Sequence, residues 1–342
     1  MLSIKDNKSR KLEAALAEQL KKDLDEQIVN EDELFVLAEY DAFAGEKTGY
    51  SNYSYWRCTF QAFWKNKAAR FLLIALCVLL VFTIIQPILP GQKDPNEIFN
   101  DYDKYGKATP MKNKGPSAEY WFGTDAVGHD LWSRIWSGTR TSLLMALIVA
   151  SINCVVGITV GILWGYVRKL DAFLTELYNI MDNIPRTIIL ILMSYIMKPG
   201  MLTMIVSMCI VGWLGMARFI RNQVVMIRDR DYNLASRCLG TDTKKIMFRN
   251  LLPYLVSVIM LQTALAIPMV ISDEVFLTYC GLGMPKSVAS LGGLVEDGRK
   301  VMMSPTLRYQ LIFPALVVTF ITVSFYLIGN AFADASDPRN HV

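Results

Sequence analysis

The chain predicts an all-α membrane protein with six transmembrane helices, and three observations carry that expectation. Of 342 residues, 53% are hydrophobic and 19% charged, more apolar than a soluble domain tolerates, with the charge confined to blocks. Apolar runs fall at residues 71–89, 142–167, 173–197, 201–220, 254–271 and 311–328, where about 20 residues suffice for roughly 30 Å of hydrocarbon. Basic residues gather beside alternate runs, which places both termini in the cytoplasm by the positive-inside bias.

Taken in order, residues 1–70 form a cytoplasmic tail in which Leu12, Leu16, Leu20, Leu24 and Ile28 recur every four residues among Lys and Glu. That spacing predicts an amphipathic helix with a narrow apolar stripe, either solvated or touching a partner subunit or the membrane surface. After Glu46 the tail has no acid but has Arg57, Lys65, Lys67 and Arg70, which hold it inside. No apolar core precedes residue 71, so residues 71–90 act as signal and anchor together. Residues 91–140 form an external loop with seven basic and seven acidic residues; a balanced loop of this length can translocate. In it Asp125 can cap the following helix, with Ser133, Arg134 and Arg140 at an interface.

Residues 141–332 supply the remaining five spans. Gly157, Gly161 and Gly165 repeat every four residues and predict close helix contact where lipid offers no hydrophobic drive. In the third run, residues 187–197 are too short to cross alone, so the segment before Pro185 must also enter the membrane, carrying Asp182 and Arg186. A charge facing lipid costs about 2.5–3.5 kcal/mol at the centre, so both should face protein. They can pair at i, i+4 beside a Pro185 kink, or line a translocation path or gate. Lys198, Pro199 and Gly200 make an external turn. Span five delivers Asp273 and Glu274 to the outer side, where Glu274 is either a solvated helix-end carboxylate or has a role in an outer gate or in docking an external protein. Residues 333–342 end the chain inside.

The cytoplasmic loop 221–253 is the segment around which the chain is organised. With Arg218 it holds eight basic residues. Residues 222–239 can continue the preceding helix, Gly240 supplies a left-handed end, Thr241 can cap a second short helix running to Leu252, and Pro253 opens the next span. Two helices joined by a sharp turn and held between two spans can transmit force.

Several chemistries are absent from the sequence. There is no phosphate-binding G-x-x-x-x-G-K-[ST] loop, no H-E-x-x-H and no G-x-S-x-G, so the chain is expected to be no enzyme by itself. Its two histidines, His129 and His341, and six scattered cysteines form no metal or disulfide pattern. The small net charge of +4, with cations beside spans, gives no nucleic-acid surface.

The order Tyr232, Ala235, Ser236, Gly240, Arg249, Asn250, Pro253 resembles the EAA loop of ATP-binding-cassette importer permeases, with Leu234 where Glu is usual and Asn250 where His is usual. Around it, Gly123, Thr124, Asp125, Gly128, Asp130, Ser133, Arg134, Gly138, Arg140, Ser142 and Leu143 resemble the C-type permease subunits of oligopeptide and dipeptide importers, with His129 in the place of Arg. Glu274, Leu277, Gly281, Leu282 and Gly283 follow that pattern, Leu291 replacing a Trp, and so do Asp334, Asp337, Pro338 and Arg339. The resemblance implies a type I importer permease of MetI-like fold in a bacterial cell membrane, with a cytoplasmic coupling helix. It implies as partners a homologous B-type permease, two ATPase subunits that bind ATP and magnesium, an extracellular peptide-binding protein and a peptide substrate, with no cofactor on this chain. Tyr232, Ala235, Ser236, Gly240, Thr241, Arg249, Asn250 and Pro253 would then couple to the ATPase, and Asp125, Asp130, Arg134 and Arg140 would form an outer motif. Rival expectations are a permease for nickel or another metal chelate, an ion-driven secondary transporter using Asp182 and Arg186, and a membrane scaffold.

Overall fold

The computed structural model describes residues 55–102 and 108–336. The predicted stripe from Leu12 to Ile28 lies outside the described residues, as do Asp337, Pro338 and Arg339. The described elements are α1 (Tyr55–Lys65), α2 (Lys67–Ile85), a two-stranded antiparallel pair β1 (Asn100–Tyr102) and β2 (Ala108–Pro110), α3 (Leu131–Tyr166), α4 (Arg168–Asp182), α5 (Arg186–Ile196), α6 (Met201–Ile227), α7 (Asp231–Cys238), α8 (Thr243–Ile246), α9 (Leu252–Tyr279), α10 (Leu291–Val301) and α11 (Tyr309–Ser336). Among them, five helical stretches are long and apolar enough to cross a membrane: Lys67–Ile88, Leu131–Tyr166, Met201–Ile227, Thr243–Tyr279 and Tyr309–Ser336.

The third predicted span is not one helix. The chain breaks between Asp182 and Arg186, giving the amphipathic α4 and the short apolar α5. Pro185 has no N–H to donate and disfavours helical backbone in the residue before it, so the α4 ladder stops and α5 restarts with Pro185 as its N-cap.

The core is built on the pairing of α3 with α6. A Cβ on Gly157 would stand 2.6 Å from the Met216 Cβ, and one on Gly161 would stand 2.6 Å from the Ala217 carbonyl oxygen. On Gly165 it would meet the Val224 Cβ at 2.8 Å. The three glycines therefore set the separation of the two helices, as the four-residue repeat predicts. Met145, Val149, Leu190, Met204, Met208 and Ile271 fill the space between α3, α5, α6 and α9.

Two boundaries move outward from their predicted places. α3 starts at Leu131 rather than 142, because Asp130 caps it by accepting the Ser133 N–H at 2.9 Å. α9 runs to Tyr279 before Gly281, at φ +78°, so Asp273 and Glu274 lie within a helix and not beyond it.

Candidate coupling loop, interhelical cavity and outer turn

At the end of α6 the helix does not continue to Leu239 as predicted. It stops at Ile227, and α7 begins at Asp231 after a three-residue bend. Asn233, fully buried, explains the break. Its side-chain amide donates to the Ile227 carbonyl at 2.8 Å, satisfying one of the orphan acceptors at the α6 C-terminus. Its Oδ1 accepts from the Asn250 side chain at 3.2 Å, and Asn250 also reaches Ser236 Oγ at 3.4 Å. One buried amide thus fastens α7 both to the helix before it and to the turn after it.

Gly240, at φ +73°, ends α7 as predicted. The Thr241 N–H donates to the Ser236 carbonyl at 3.0 Å and the Gly240 N–H to Arg237 at 2.9 Å, the pair of bonds that defines a Schellman end. Thr241 is not the cap of the next helix, however. That position is Asp242, and no side chain there bonds a backbone N–H. Nor is the second helix separate from the following span: α8 passes through a wide turn, Met247–Leu251, directly into α9. Pro253 cannot donate to the carbonyl four residues back and its ring crowds that oxygen; a turn wound one residue wider relieves both.

Two arginines of the loop are tied down. Arg228 donates to the Gly165 carbonyl at 2.7 Å, and Arg237 donates to the Arg228 carbonyl at 2.7 Å and to the Tyr166 hydroxyl at 3.2 Å. Both also reach Asp229. Desolvation works to raise the Asp229 carboxyl, but the hydrogen bonds and charges of Arg228 and Arg237 hold it below its ordinary value. Apolar side chains stand exposed on the loop, Tyr232, Leu234 and Phe248 with Leu239 at 86%, among exposed Asp231, Asp242, Lys244 and Lys245. Ala235 is exposed, Ser236, Thr241 and Asn250 are partly buried, and Arg249 is exposed.

A cavity of about 550 Å³ lies between α3, α4, α5, α6 and α9, lined among others by Asn153, Asp182, Arg186, Gln262 and Met269. Asp182 and Arg186 do share it, but they do not pair with each other. Arg186 Nη2 donates to Asp273 Oδ2 at 2.6 Å, and Asp182 faces Arg218 at 3.6 Å. The break at Pro185 destroys the i, i+4 geometry that a continuous helix would give, and α9 brings a carboxylate closer.

Glu274 is not solvated. It is fully buried, and its Oε1 accepts the Gly292 N–H at 3.2 Å in the first turn of α10. The neighbouring Leu291 N–H donates to Ser142 Oγ at 3.0 Å. α3 and α9 thereby hold the start of α10, where orphan N–H groups favour a carboxylate.

Toward the other end of α3, Asp125 does not cap the helix; Asp130 does. Asp125 Oδ1 instead accepts three N–H groups, from Val127 at 2.9 Å, Gly128 at 2.8 Å and His129 at 2.9 Å. Its Oδ2 lies 2.8 Å from His129 Nδ1, which lies 2.9 Å from Arg134 Nη1; protonated, that nitrogen donates to the carboxylate, and deprotonated it accepts from the guanidinium. Arg134, buried, also donates to the Lys286 carbonyl at 3.1 Å. Arg140 donates to the Thr83 carbonyl on α2 at 3.0 Å. Burial alone would raise the Asp125 carboxyl, but the backbone N–H groups and His129 hold it below its ordinary value.

The description "Binding-protein-dependent transport system inner membrane component" matches residues 157–342. The chain is 38% identical over 309 residues to the oligopeptide transport system permease protein AmiD of Streptococcus pneumoniae, covering 90% of this chain and 98% of that one. The chain belongs to the binding-protein-dependent permease family. It is also 32% identical to the dipeptide transport system permease protein DppC of Bacillus subtilis, over 90% of this chain and 93% of that one. A solved structure of the inward-facing MetNI methionine ABC transporter covers 59% of this chain and 96% of its own, at TM-score 0.48 and 19% identity. As a member of this permease family the chain is a multi-pass membrane protein, and its general function is that of the permease subunit of an ABC importer.

Among the described residues, what sequence reasoning missed is mainly polar and buried. Asn233 sits within the motif yet carried no signal of its own. Asp273 stood beside Glu274 in sequence, but only the break at Pro185 shows why it meets Arg186. Gln310, which donates to Asn113 Oδ1 at 2.8 Å and to the Thr124 carbonyl at 3.2 Å, links α11 to the loop before α3 across 186 positions and left no local trace.

Proposed function

We propose that this chain is the C-type permease of an ATP-driven oligopeptide importer in a bacterial cell membrane, with six membrane passages, a type I MetI-like arrangement and both termini in the cytoplasm. The broken segment α4–α5 supplies the passage that the five long helices leave out. A homologous second permease completes the path, two ATPase subunits bind ATP and magnesium below it, and an extracellular peptide-binding protein delivers substrate. Residues 1–70 form the cytoplasmic tail, 91–140 the external loop, 141–332 the permease core and 333–342 the inner end.

The observation that carries this reading is the loop 221–253: a short helix closed by Gly240, pinned through Asn233 to α6 and through Asn250 to the turn before α9, with Tyr232, Leu234 and Leu239 left exposed. A rigid body with an uncovered face suits a docking element. Movement of an ATPase against Tyr232, Ala235, Leu234 and Leu239 passes into α6 and α9 together, because neither end of α7 is slack, and these helices line the cavity that holds Asp182 and Arg186. Glu274 fixes α10 against α9, the Asp125–Arg134 contact and the Asp130 cap hold the loop before α3 in place, and Arg140 ties α3 to α2. The peptide substrate is supported by the names of the oligopeptide and dipeptide relatives.

Reconstitution of the complete assembly in vesicles tests it. Oligopeptide uptake should require ATP and the binding protein, and should be lost in Gly240→Val while the subunits still co-purify. Uptake of a nickel chelate but no peptide, or peptide uptake driven by an ion gradient without ATP, would overturn it.

A further inference from the structure

Helix α1 has no part in the transport reading, yet its placement is tightly set. Asn66 is the one residue between α1 and α2, and its side chain caps α2 by accepting the N–H groups of Ala68 and Ala69 at 3.1 and 3.2 Å. α1 is therefore held at the end of a helix that crosses the membrane. Phe63 on its inner face packs against Phe332, Ala331 and Ala335 in the last turns of α11. α11 has 28 residues, about 42 Å at 1.5 Å per residue, so its last turns reach beyond roughly 30 Å of hydrocarbon. The start of α2 and the end of α11 thus both mark the boundary of the bilayer, and α1 lies there.

The outward side of α1 pairs two aromatic rings with cations. Phe60, whose ring meets Phe332 edge-on at 6.3 Å, and Trp64, one turn apart, remain 56% and 47% exposed. Lys65, Lys67 and Arg70 beside them are exposed, and no acidic residue occurs between Glu46 and Asp94. Two large rings in water would be costly, and an aromatic pair flanked only by cations is complementary to a lipid interface: rings at the acyl boundary, cations on phosphates. We propose that α1 is an interfacial anchor, with Phe60 and Trp64 inserted at the acyl boundary of the cytoplasmic leaflet and Lys65, Lys67 and Arg70 bound to the phosphates of anionic lipid.

The test uses the full chain in the assembled complex, reconstituted in phosphatidylethanolamine vesicles with and without phosphatidylglycerol. A benzophenone amino acid placed at Trp64 should, on illumination, yield phospholipid adducts on the peptide that contains it, whereas the same group at Tyr232 on α7 yields none. Cross-linking of position 64 to a protein subunit instead, or no adduct there, overturns the proposal. In a second arm, K65Q/K67Q/R70Q should lower the enrichment of phosphatidylglycerol among co-purifying lipids about fivefold per charge. Unchanged enrichment would remove the headgroup contact.

Discussion

Replacing Asn233 with alanine is the perturbation that the loop geometry makes most informative. The side chain is fully buried, gives one hydrogen bond to the Ile227 carbonyl at 2.8 Å and accepts one from Asn250 at 3.2 Å. Alanine removes both bonds, while the Ile227 carbonyl keeps the Arg230 N–H at 3.3 Å and the Asn250 amide keeps Ser236 Oγ at 3.4 Å, so each lost bond is worth about 0.5–1.5 kcal/mol. Since α7 has only eight residues and is too short to hold its shape alone, the loss falls on the docking of α7 rather than on the bundle. Hydrogen exchange in residues 231–238 should accelerate by about 5- to 150-fold for the loss of the two bonds together, while amides in the α3–α6 core keep their protection. ATP hydrolysis by the assembly should continue and peptide uptake should fall. Asn233→Asp keeps the acceptor for Asn250 but sets a carboxylate against the Ile227 carbonyl, so it should loosen α7 without rescuing uptake. If α7 exchange is unchanged in Asn233→Ala, or core and loop accelerate equally, the reasoning that one amide fastens the loop is wrong.

Further expectations follow from the same contacts. Gly161→Val should lower the unfolding temperature in detergent, since its Cβ would press on the Ala217 carbonyl; a forced separation of this kind costs about 1–3 kcal/mol, and Gly215→Ala, where a Cβ meets nothing within 4 Å, should be neutral. The Arg186–Asp273 pair is partly buried, so a double-mutant cycle of Arg186→Gln and Asp273→Asn should give a coupling of about 1–2 kcal/mol, against about zero for Asp182→Asn with Arg186→Gln. The Asp125 carboxyl is held below its ordinary value of 3.8, so its contribution is complete above that value and is lost as pH falls below it through the folded-state value. Proteolysis of residues 123–130 should therefore quicken in acid, and Asp125→Asn should flatten that response. Glu274→Leu should destabilise by about 1–3 kcal/mol, because the Gly292 N–H loses its acceptor, whereas Glu274→Gln keeps the acceptor and should cost less; melting of both variants measures the difference.

Much of the fold was legible because membrane solvent reduces the problem to length and composition. Apolar runs marked the long helices, and the glycine repeat marked the α3–α6 contact, because small residues at four-residue spacing have little purpose other than close approach. Gly240 was legible for the same local reason: a helix that must end sharply needs a residue at positive φ. The polar partners were not legible. Sequence spacing suggested that Asp182 pairs with Arg186, but the i, i+4 rule holds only inside an unbroken helix, and Pro185 breaks it; Asp273 is 87 positions away and becomes a neighbour only after packing. Asp125, expected as the cap, stands five residues before Asp130; the N–H groups of residues 127–129 take up its Oδ1, and Asp130 caps α3 in its place. The wide turn before Pro253 follows from two facts visible in sequence, a proline and a continuing apolar run, yet it takes the packing of Leu251 and Leu255 in one cluster to show that the helix continues through it.

Force transfer through α7 can be tested most directly by a cross-link. Leu239→Cys lies at the tip of the hairpin and is 86% exposed as leucine, so a short bifunctional reagent should join it to the ATPase subunit in the assembled complex, and the link should stop peptide uptake until it is reduced. A complex that hydrolyses ATP and imports peptide while residue 239 remains open to water-soluble thiol reagents and joins no ATPase subunit would contradict the account.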